Sequence, residues 1–444
     1  MRSYLLRRLL CLLPGLTLAP TLLAQSPWLI PFNLTPVYDG SVDLGDFDAD
    51  GDLDLLLTGR EIIPFSVGGF TTAIYTNDED FVFVPDPTPG VDRDLPVPYK
   101  LFQPLNENLI PVFQGSAKWG DADGDGDLDV LLSGLAEVIT PTNRLEVPTT
   151  VLYDHSRNGR GEHVFTPHPN LNLPGVFNGE VDWGDFDGDG DQDFVISGAT
   201  RSSPPYNPIT RLYGNEGGTF TEVPTSLPGV FLGATRWVDY DGDADLDLSL
   251  LGDTGNGHFI TRLYRNDGGT FTDAQANLPG LAFGSLDWGD YDGDVDQDLV
   301  LTGARFDPSL LRGFTRVYRN DAGTFTDTGA AVPPVMQGVA RWGDWDGDGL
   351  LDLVVAGYDE LLGSGMMGLY RYQGGTFAPL LSFTINTGFS DLLVRDYNGD
   401  GDVDLLMIGL VEGKGASFFF MNRRFTECTP VEWVPRGEVQ TCFL

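Results

Sequence analysis

The chain has 444 residues and a formal net charge of −39, from 26 basic and 65 acidic side chains. Nothing in so acidic a chain neutralises phosphates, which excludes nucleic acid as a partner. With 41% hydrophobic residues, 57 Gly and 30 Pro, it reads as a folded protein with many tight turns between short strands.

Residues 1–24 read as a secretory signal: Arg2, Arg7 and Arg8 form a positive start, Leu9 to Leu23 an apolar core, and Ala24 a cleavage position before Gln25. The apolar run is short for a membrane span and holds Pro14, Gly15 and Pro20. No later segment reads as transmembrane. The mature chain is therefore expected outside the cell, secreted or held at its surface.

Residues 25–427 read as one repeat array. A nine-residue acidic loop recurs seven times, opening at Asp46, Asp121, Asp185, Asp239, Asp290, Asp344 and Asp396, at spacings of 75, 64, 54, 51, 54 and 52 residues. These openings define units one to seven. Fixed residues flank each loop. Six positions before the first Asp stands Gly40, Gly115, Gly179, Gly233, Gly284 or Gly338, with Ser390 in the last unit. Thirteen positions after it stands Gly59, Gly134, Gly198, Gly252, Gly303, Gly357 or Gly409. Two positions before it stands Trp119, Trp183, Trp237, Trp288 or Trp342, with Leu44 and Val394 in the end units.

Each unit reads as four strands. The first ends in Trp-Gly-Asp, as in Val181 to Asp185. The second is an apolar run, as in Leu53 to Thr58. The third carries a Tyr, as in Thr261-Arg-Leu-Tyr264-Arg-Asn266. The fourth follows a Gly-rich turn and carries an aromatic: Phe220, Phe271, Phe325, Phe377 or Phe425. One such unit cannot bury both faces of its sheet, but seven arranged radially can. The expected fold is thus all-β, a seven-bladed β-propeller of four-stranded antiparallel blades with one calcium loop per blade. Residues 28–34, including Trp28, are expected to close the ring. Long excursions are expected at 84–112, between units one and two, and at 153–170, inside unit two.

Carboxylates at every second position repel one another unless a cation sits among them. Calcium takes six to eight oxygen ligands. In Asp-x-Asp-x-Asp-Gly-x-x-Asp the side chains at positions one, three, five and nine and the main-chain carbonyl at position seven make such a cage. The candidate ligands are Asp46, Asp48, Asp50, Asp52 and Asp54 in unit one; Asp121, Asp123, Asp125, Asp127 and Asp129 in unit two; and Asp185, Asp187, Asp189, Asp191 and Asp193 in unit three. Unit four offers Asp239, Asp241, Asp243, Asp245 and Asp247, and unit five Asp290, Asp292, Asp294, Asp296 and Asp298. Unit six offers Asp344, Asp346, Asp348, Leu350 and Asp352, and unit seven Asp396, Asn398, Asp400, Asp402 and Asp404. Leu350 suits a carbonyl role at position seven. Val295 replaces the sixth-position Gly of unit five, where a sharp turn disfavours a β-branched residue, so a distorted loop is expected there. No Cys or His lies in any loop, which argues against zinc or copper.

These loops, with Trp-Gly-Asp before and the apolar run to Gly after, resemble the FG-GAP and VCBS repeats of integrin α propellers and of many secreted bacterial proteins, over about residues 36–427. The resemblance implies the propeller fold and up to seven bound calcium ions at positions one, three, five, seven and nine of the loops. It also implies an upper face, formed by the second-to-third-strand connections and the links between blades, that binds ligands.

The expected function is a calcium-stabilised module binding an extracellular protein or glycan, as a monomer and not an enzyme. The alternatives are a polysaccharide lyase or hydrolase on a propeller scaffold, and a purely structural surface component. The only His grouping, His155, His163 and His168, reads as a polar surface loop. Residues 428–444 form a tail in which Cys428 and Cys442 could pair.

Overall fold

The computed structural model describes residues 34–422, except 36, 64–65, 78–80, 86–93, 99–102, 106–107, 141–142, 308–309, 386–388, 398–400, 412–413 and 421. The signal segment, Trp28, Asn398, Asp400, Phe425, Cys428 and Cys442 lie outside the described residues.

Antiparallel strands are the only regular elements among the described residues. Unit three shows the pattern: Val181–Gly184, Asp193–Ala199, Pro208–Asn215 and Phe220–Val223 pair in sequence order as a four-stranded sheet. Units four, five and six repeat it, and unit seven shows three strands, Phe389–Arg395, Asp404–Val411 and Lys414–Phe420. The second strand of each unit is buried throughout its first half, as its unbroken apolar run requires.

Units one and two depart from the expected separate blades. They share a ten-stranded sheet, because the link Val112–Phe113 pairs with Thr71 of unit one and with Leu135 and Ala136 of unit two. The same link pairs in both directions between units two and three, through Thr149–Val176 and Phe177–Ala199, and between four and five, through Ile260–Leu281 and Ala282–Ala304. The merged sheet thus extends a contact made elsewhere by single bridges.

Both excursions are also corrected. A hairpin of Phe81–Pro85 and Asp94–Pro98 is inserted within unit one, ahead of its fourth strand Gln103–Pro104, rather than between units. Residues 153–170 contain the paired end of unit two's third strand, Arg144–Arg157, and its fourth strand, His163–Pro167.

The flanking glycines face each other across the first and second strands. A Cβ on Gly115 would lie 1.9 Å from the Ser133 carbonyl oxygen and 2.5 Å from the Gly134 Cα. Gly134 itself sits at φ +145°. The residue before each first glycine is left-handed, and its amide reaches the equivalent carbonyl of the preceding unit. Gln114 N–H donates to Asp39 O, Asn178 to Gln114, Leu232 to Asn178, Phe283 to Leu232 and Gln337 to Phe283, at 2.5–2.8 Å. This chain of backbone bonds links units one to six at the strand ends opposite the acidic loops. Unit seven meets unit one through a shared core of Leu34, Val37, Val42, Leu55, Leu57, Tyr75, Tyr397, Leu406 and Ile408.

Candidate metal centres and the unit interfaces

In every unit the first Asp folds the loop onto itself. Asp185 Oδ1 accepts the amides of Gly188 (2.7 Å) and Asp189 (3.1 Å), and its Oδ2 accepts that of Gly190 (3.0 Å). Asp46, Asp121, Asp239, Asp290 and Asp344 do the same, and Asp396 accepts from Gly401. The fifth-position carboxylate accepts the amide two residues on, as Asp189 does from Asp191 at 2.9 Å. In unit five Val295 is held at φ +84°, a strained conformation for a β-branched residue, and still donates to Asp290 Oδ2 at 2.9 Å.

The ninth-position Asp is buried, at most 2% exposed in each unit. In units one to six one oxygen accepts the amide at the second position and the other an amide from the end of the third strand. For Asp193 the donors are Phe186 (2.9 Å) and Asn215 (2.8 Å). Burial, against these bonds and with the nearby loop carboxylates, pushes the Asp54, Asp129, Asp247 and Asp298 carboxyls up to about 7. Asp193 and Asp352 rise to about 6 for the same reason.

Carboxylate oxygens converge within 4.8 Å in the groups Asp46–Asp48–Asp50, Asp121–Asp123–Asp129, Asp185–Asp187–Asp193, Asp239–Asp241–Asp247 and Asp290–Asp292–Asp294. Within them Asp48 Oδ1, Asp241 Oδ1 and Asp292 Oδ1 are buried with no hydrogen-bond partner. A buried carboxylate oxygen facing only other carboxylates is costly, and a hard divalent cation removes that cost. The donor set therefore fits a metal such as calcium. The seventh position supports a carbonyl role, because its side chains are engaged elsewhere: Asp191, Asp245 and Asp296 accept amides of Gly217, Gly268 and Ala322 in the next turn. Unit six differs, since Arg371 pairs with Asp346 and supplies an internal cation to its loop.

The sequence reading missed the Asn two residues after the third-strand Tyr. The Asn215 side-chain amide donates to Ala122 O in the preceding unit's loop (2.9 Å) and to Gln192 O in its own (3.0 Å), tying neighbouring loops together. Asn266 and Asn320 repeat this. The signal was legible as Tyr213-Gly-Asn215, Tyr264-Arg-Asn266 and Tyr318-Arg-Asn320. In unit two His155 takes this place. It is buried rather than on a polar surface loop, stacks on Phe165 at 4.7 Å, and pairs with His163 at 2.9 Å. His168 binds Asp154 at 2.7 Å.

The interfaces between units fall into two kinds. Three residues before each loop stand, in order, Asp43, Lys118, Asp182, Arg236, Asp287, Arg341 and Leu393. Each odd-unit Asp accepts the Trp amide of the next unit: Asp43 from Trp119 (3.0 Å), Asp182 from Trp237 (3.2 Å) and Asp287 from Trp342 (3.0 Å). Cations join them. Lys118 binds Asp43 at 3.2 Å, and Arg236 grips Glu180 through both nitrogens, at 2.5 and 3.0 Å. At the same three interfaces the Trp ring stacks on the preceding loop's aromatic: Trp119 on Phe47 (5.4 Å), Trp237 on Phe186 (5.7 Å) and Trp342 on Tyr291 (5.5 Å). Unit seven reaches unit one through Asp391, which accepts the Val42 amide at 3.2 Å and also binds Arg341 at 3.2 Å.

The FG-GAP-like repeat model matches residues 185–250 and 344–407, each match opening on the first Asp of a loop and ending in the second strand of the next unit. The chain therefore carries FG-GAP-like repeats. No curated protein sequence matches it. Among solved structures it is similar to the rhamnogalacturonan lyase of Bacillus licheniformis, at 14% identity over 87% of this chain and 72% of that one, with a TM-score of 0.43. It is also similar to the V. cholerae biofilm matrix protein Bap1, at 12% identity over 87% of this chain and 88% of that one, with a TM-score of 0.29. A third is a structure described as NanB plus Optactamide, at 11% identity over 91% of this chain and 71% of that one, with a TM-score of 0.36.

Proposed function

We propose that this FG-GAP repeat chain is an exported seven-bladed propeller, held by calcium at its acidic loops, that binds an extracellular partner and is not an enzyme. The ring reading is supported by the backbone bonds through units one to six and by the core shared between units seven and one. The calcium reading is supported by buried, unpartnered oxygens within oxygen-only donor sets.

The observation that carries the binding function lies at the other end of the strands. Hairpins between second and third strands present exposed apolar side chains: Val138, Ile139, Leu145 and Val147 in unit two, Phe306 and Leu310 in unit five, Leu361 and Leu362 in unit six. Leu361 is 88% exposed. Apolar side chains gathered on corresponding hairpins mark an interaction surface, here one suited to a protein. The histidines of unit two are engaged in packing and pairing.

The test is capture of extracellular proteins and glycans by the mature chain, in millimolar calcium and in chelator. Replacing Ile139, Leu361 and Leu362 together by Ser is expected to weaken protein capture at least tenfold, about 1.4 kcal/mol or more, with the melting temperature unchanged. Turnover of a polysaccharide by the wild type, or capture indifferent to both calcium and the hairpins, would overturn the reading.

A further inference from the structure

In units four, five and six the residue after the third-strand Tyr is an arginine: Arg265, Arg319 and Arg371. In units four and five an Asp follows two residues later and holds the guanidinium at the surface. Arg265 binds Asp267 at 2.6 Å, and Arg319 binds Asp321 at 2.6 Å, both as half-exposed pairs. Unit six has Gln373 in place of that Asp. With no acid two residues on to hold it, Arg371 turns to the acidic loop, where its Nε meets Asp346 Oδ2.

Asp346 is the third-position residue, whose carboxylate a calcium ion in this loop would need. At this position one oxygen accepts the fifth-position amide, as Asp346 Oδ1 does from Asp348 at 3.1 Å. In units one, four and five the other oxygen, on Asp48, Asp241 and Asp292, is buried without a hydrogen-bond partner among the described residues. In unit six that second oxygen faces Arg371, and Asp346 Oδ2 and Arg371 Nε are both shut off from solvent. The guanidinium thus stands against the oxygen that the other loops leave for a metal. The charge of the loop changes to match. Loops one to five each carry five carboxylates at the odd positions, whereas loop six carries four, because Leu350 replaces the Asp at position seven. One fewer negative charge meets one fewer positive charge, since a guanidinium brings one where calcium brings two.

We propose that the sixth loop is closed by Arg371 and takes no calcium, so that the chain carries one metal-independent unit among metal-dependent ones. This rests on the calcium reading above and limits it. A calcium ion would have to reach Asp346 while a guanidinium stands there, and like charges at contact distance repel strongly. The guanidinium does not leave by losing its proton. It is also part of the chain, so a chelator that empties the other loops leaves it in place. The consequence reaches the next unit. The Asn422 side-chain amide of unit seven donates to Trp345 O, inside loop six, at 2.9 Å. Unit seven therefore docks on a loop whose shape does not depend on bound metal.

The test is a count of bound calcium by equilibrium dialysis of the mature chain in millimolar calcium, for the wild type, Arg371→Gln and Gln373→Asp. The second variant keeps the arginine and restores the acid that captures its counterparts in units four and five. Both variants are expected to bind one more calcium ion per chain than the wild type, and Arg319→Gln to bind the same number as the wild type. Hydrogen exchange of residues 344–352 gives a second readout: calcium is expected to slow it about tenfold more in the two variants than in the wild type. Equal, non-zero calcium counts in the wild type and both variants, or the same effect of calcium on that segment in all three, would overturn this proposal alone. A wild type that binds no calcium would overturn the calcium reading along with it.

Discussion

At the scale of single residues, the ninth-position carboxylates set how the protein responds to acid. Their folded pKa values of about 6 to 7 stand above the ordinary Asp value of 3.8, chiefly through burial. A raised carboxyl favours the protonated folded state, so its contribution is present below the unfolded pKa and is lost as pH rises through the folded one. Without a cation the protein is therefore expected to melt at higher temperature at pH 5 than at pH 8. With calcium holding the same carboxylates ionised, the order reverses, because protons then compete with the metal. Thermal scans in chelator and in millimolar calcium check this, and equal slopes under both conditions would contradict it. The acidic loops were legible because a metal cage needs oxygen donors at fixed spacing, which a sequence displays directly. The ninth residue's second task was not: Asp193 also anchors the third strand through Asn215, a contact between segments 22 residues apart.

Between strands, the paired glycines were legible as a pattern but not as a cause. Alignment finds Gly115 and Gly134. That they stand face to face, leaving 1.9 Å between a Cβ and the Ser133 carbonyl, depends on strand pairing. Gly115→Ala is expected to destabilise the fold by about 3 kcal/mol, as overpacking against backbone does, whereas Gly124→Ala, where a Cβ meets open space but φ is +74°, costs roughly 1 kcal/mol. Chemical denaturation of both variants tests the ranking. The alternation of Asp43, Lys118, Asp182, Arg236, Asp287 and Arg341 was equally present in the sequence. It escapes an alignment that looks for identical residues, because complementarity between neighbours is written as difference.

For the molecule as a whole, the number of units and their order along the chain followed from the loops, whereas the order of strong and weak interfaces did not. The contact between units seven and one joins segments 349 residues apart and rests on Asp391. Asp391→Ala removes the acceptor of both the Val42 amide and Arg341, and is expected to cost about 2–3 kcal/mol. Hydrogen exchange should then show protection lost first in units seven and one. Uniform loss across all seven units would instead mean that the ring opens nowhere in particular.

The forward-reaching contacts raise a question of parity. Two kinds of joint cannot alternate around a ring with an odd number of members; somewhere two of the same kind must be neighbours. In the ring proposed above, the strong joints one-to-two, three-to-four and five-to-six are followed by a further contact of different make, seven-to-one through Asp391, so unit one is held from both sides. That mismatch falls at the one joint the chain does not cross covalently. Elsewhere a weak joint is backed by a continuous backbone, and its partners remain neighbours even when it opens. Among the described residues, side-chain and core contacts hold the two ends together at the closure, and separation there frees a loop of several hundred residues. An odd count thus puts its surplus contact where the polymer has no bond of its own, and an eighth unit inserted in strict alternation would leave the closure as weak as any other seam.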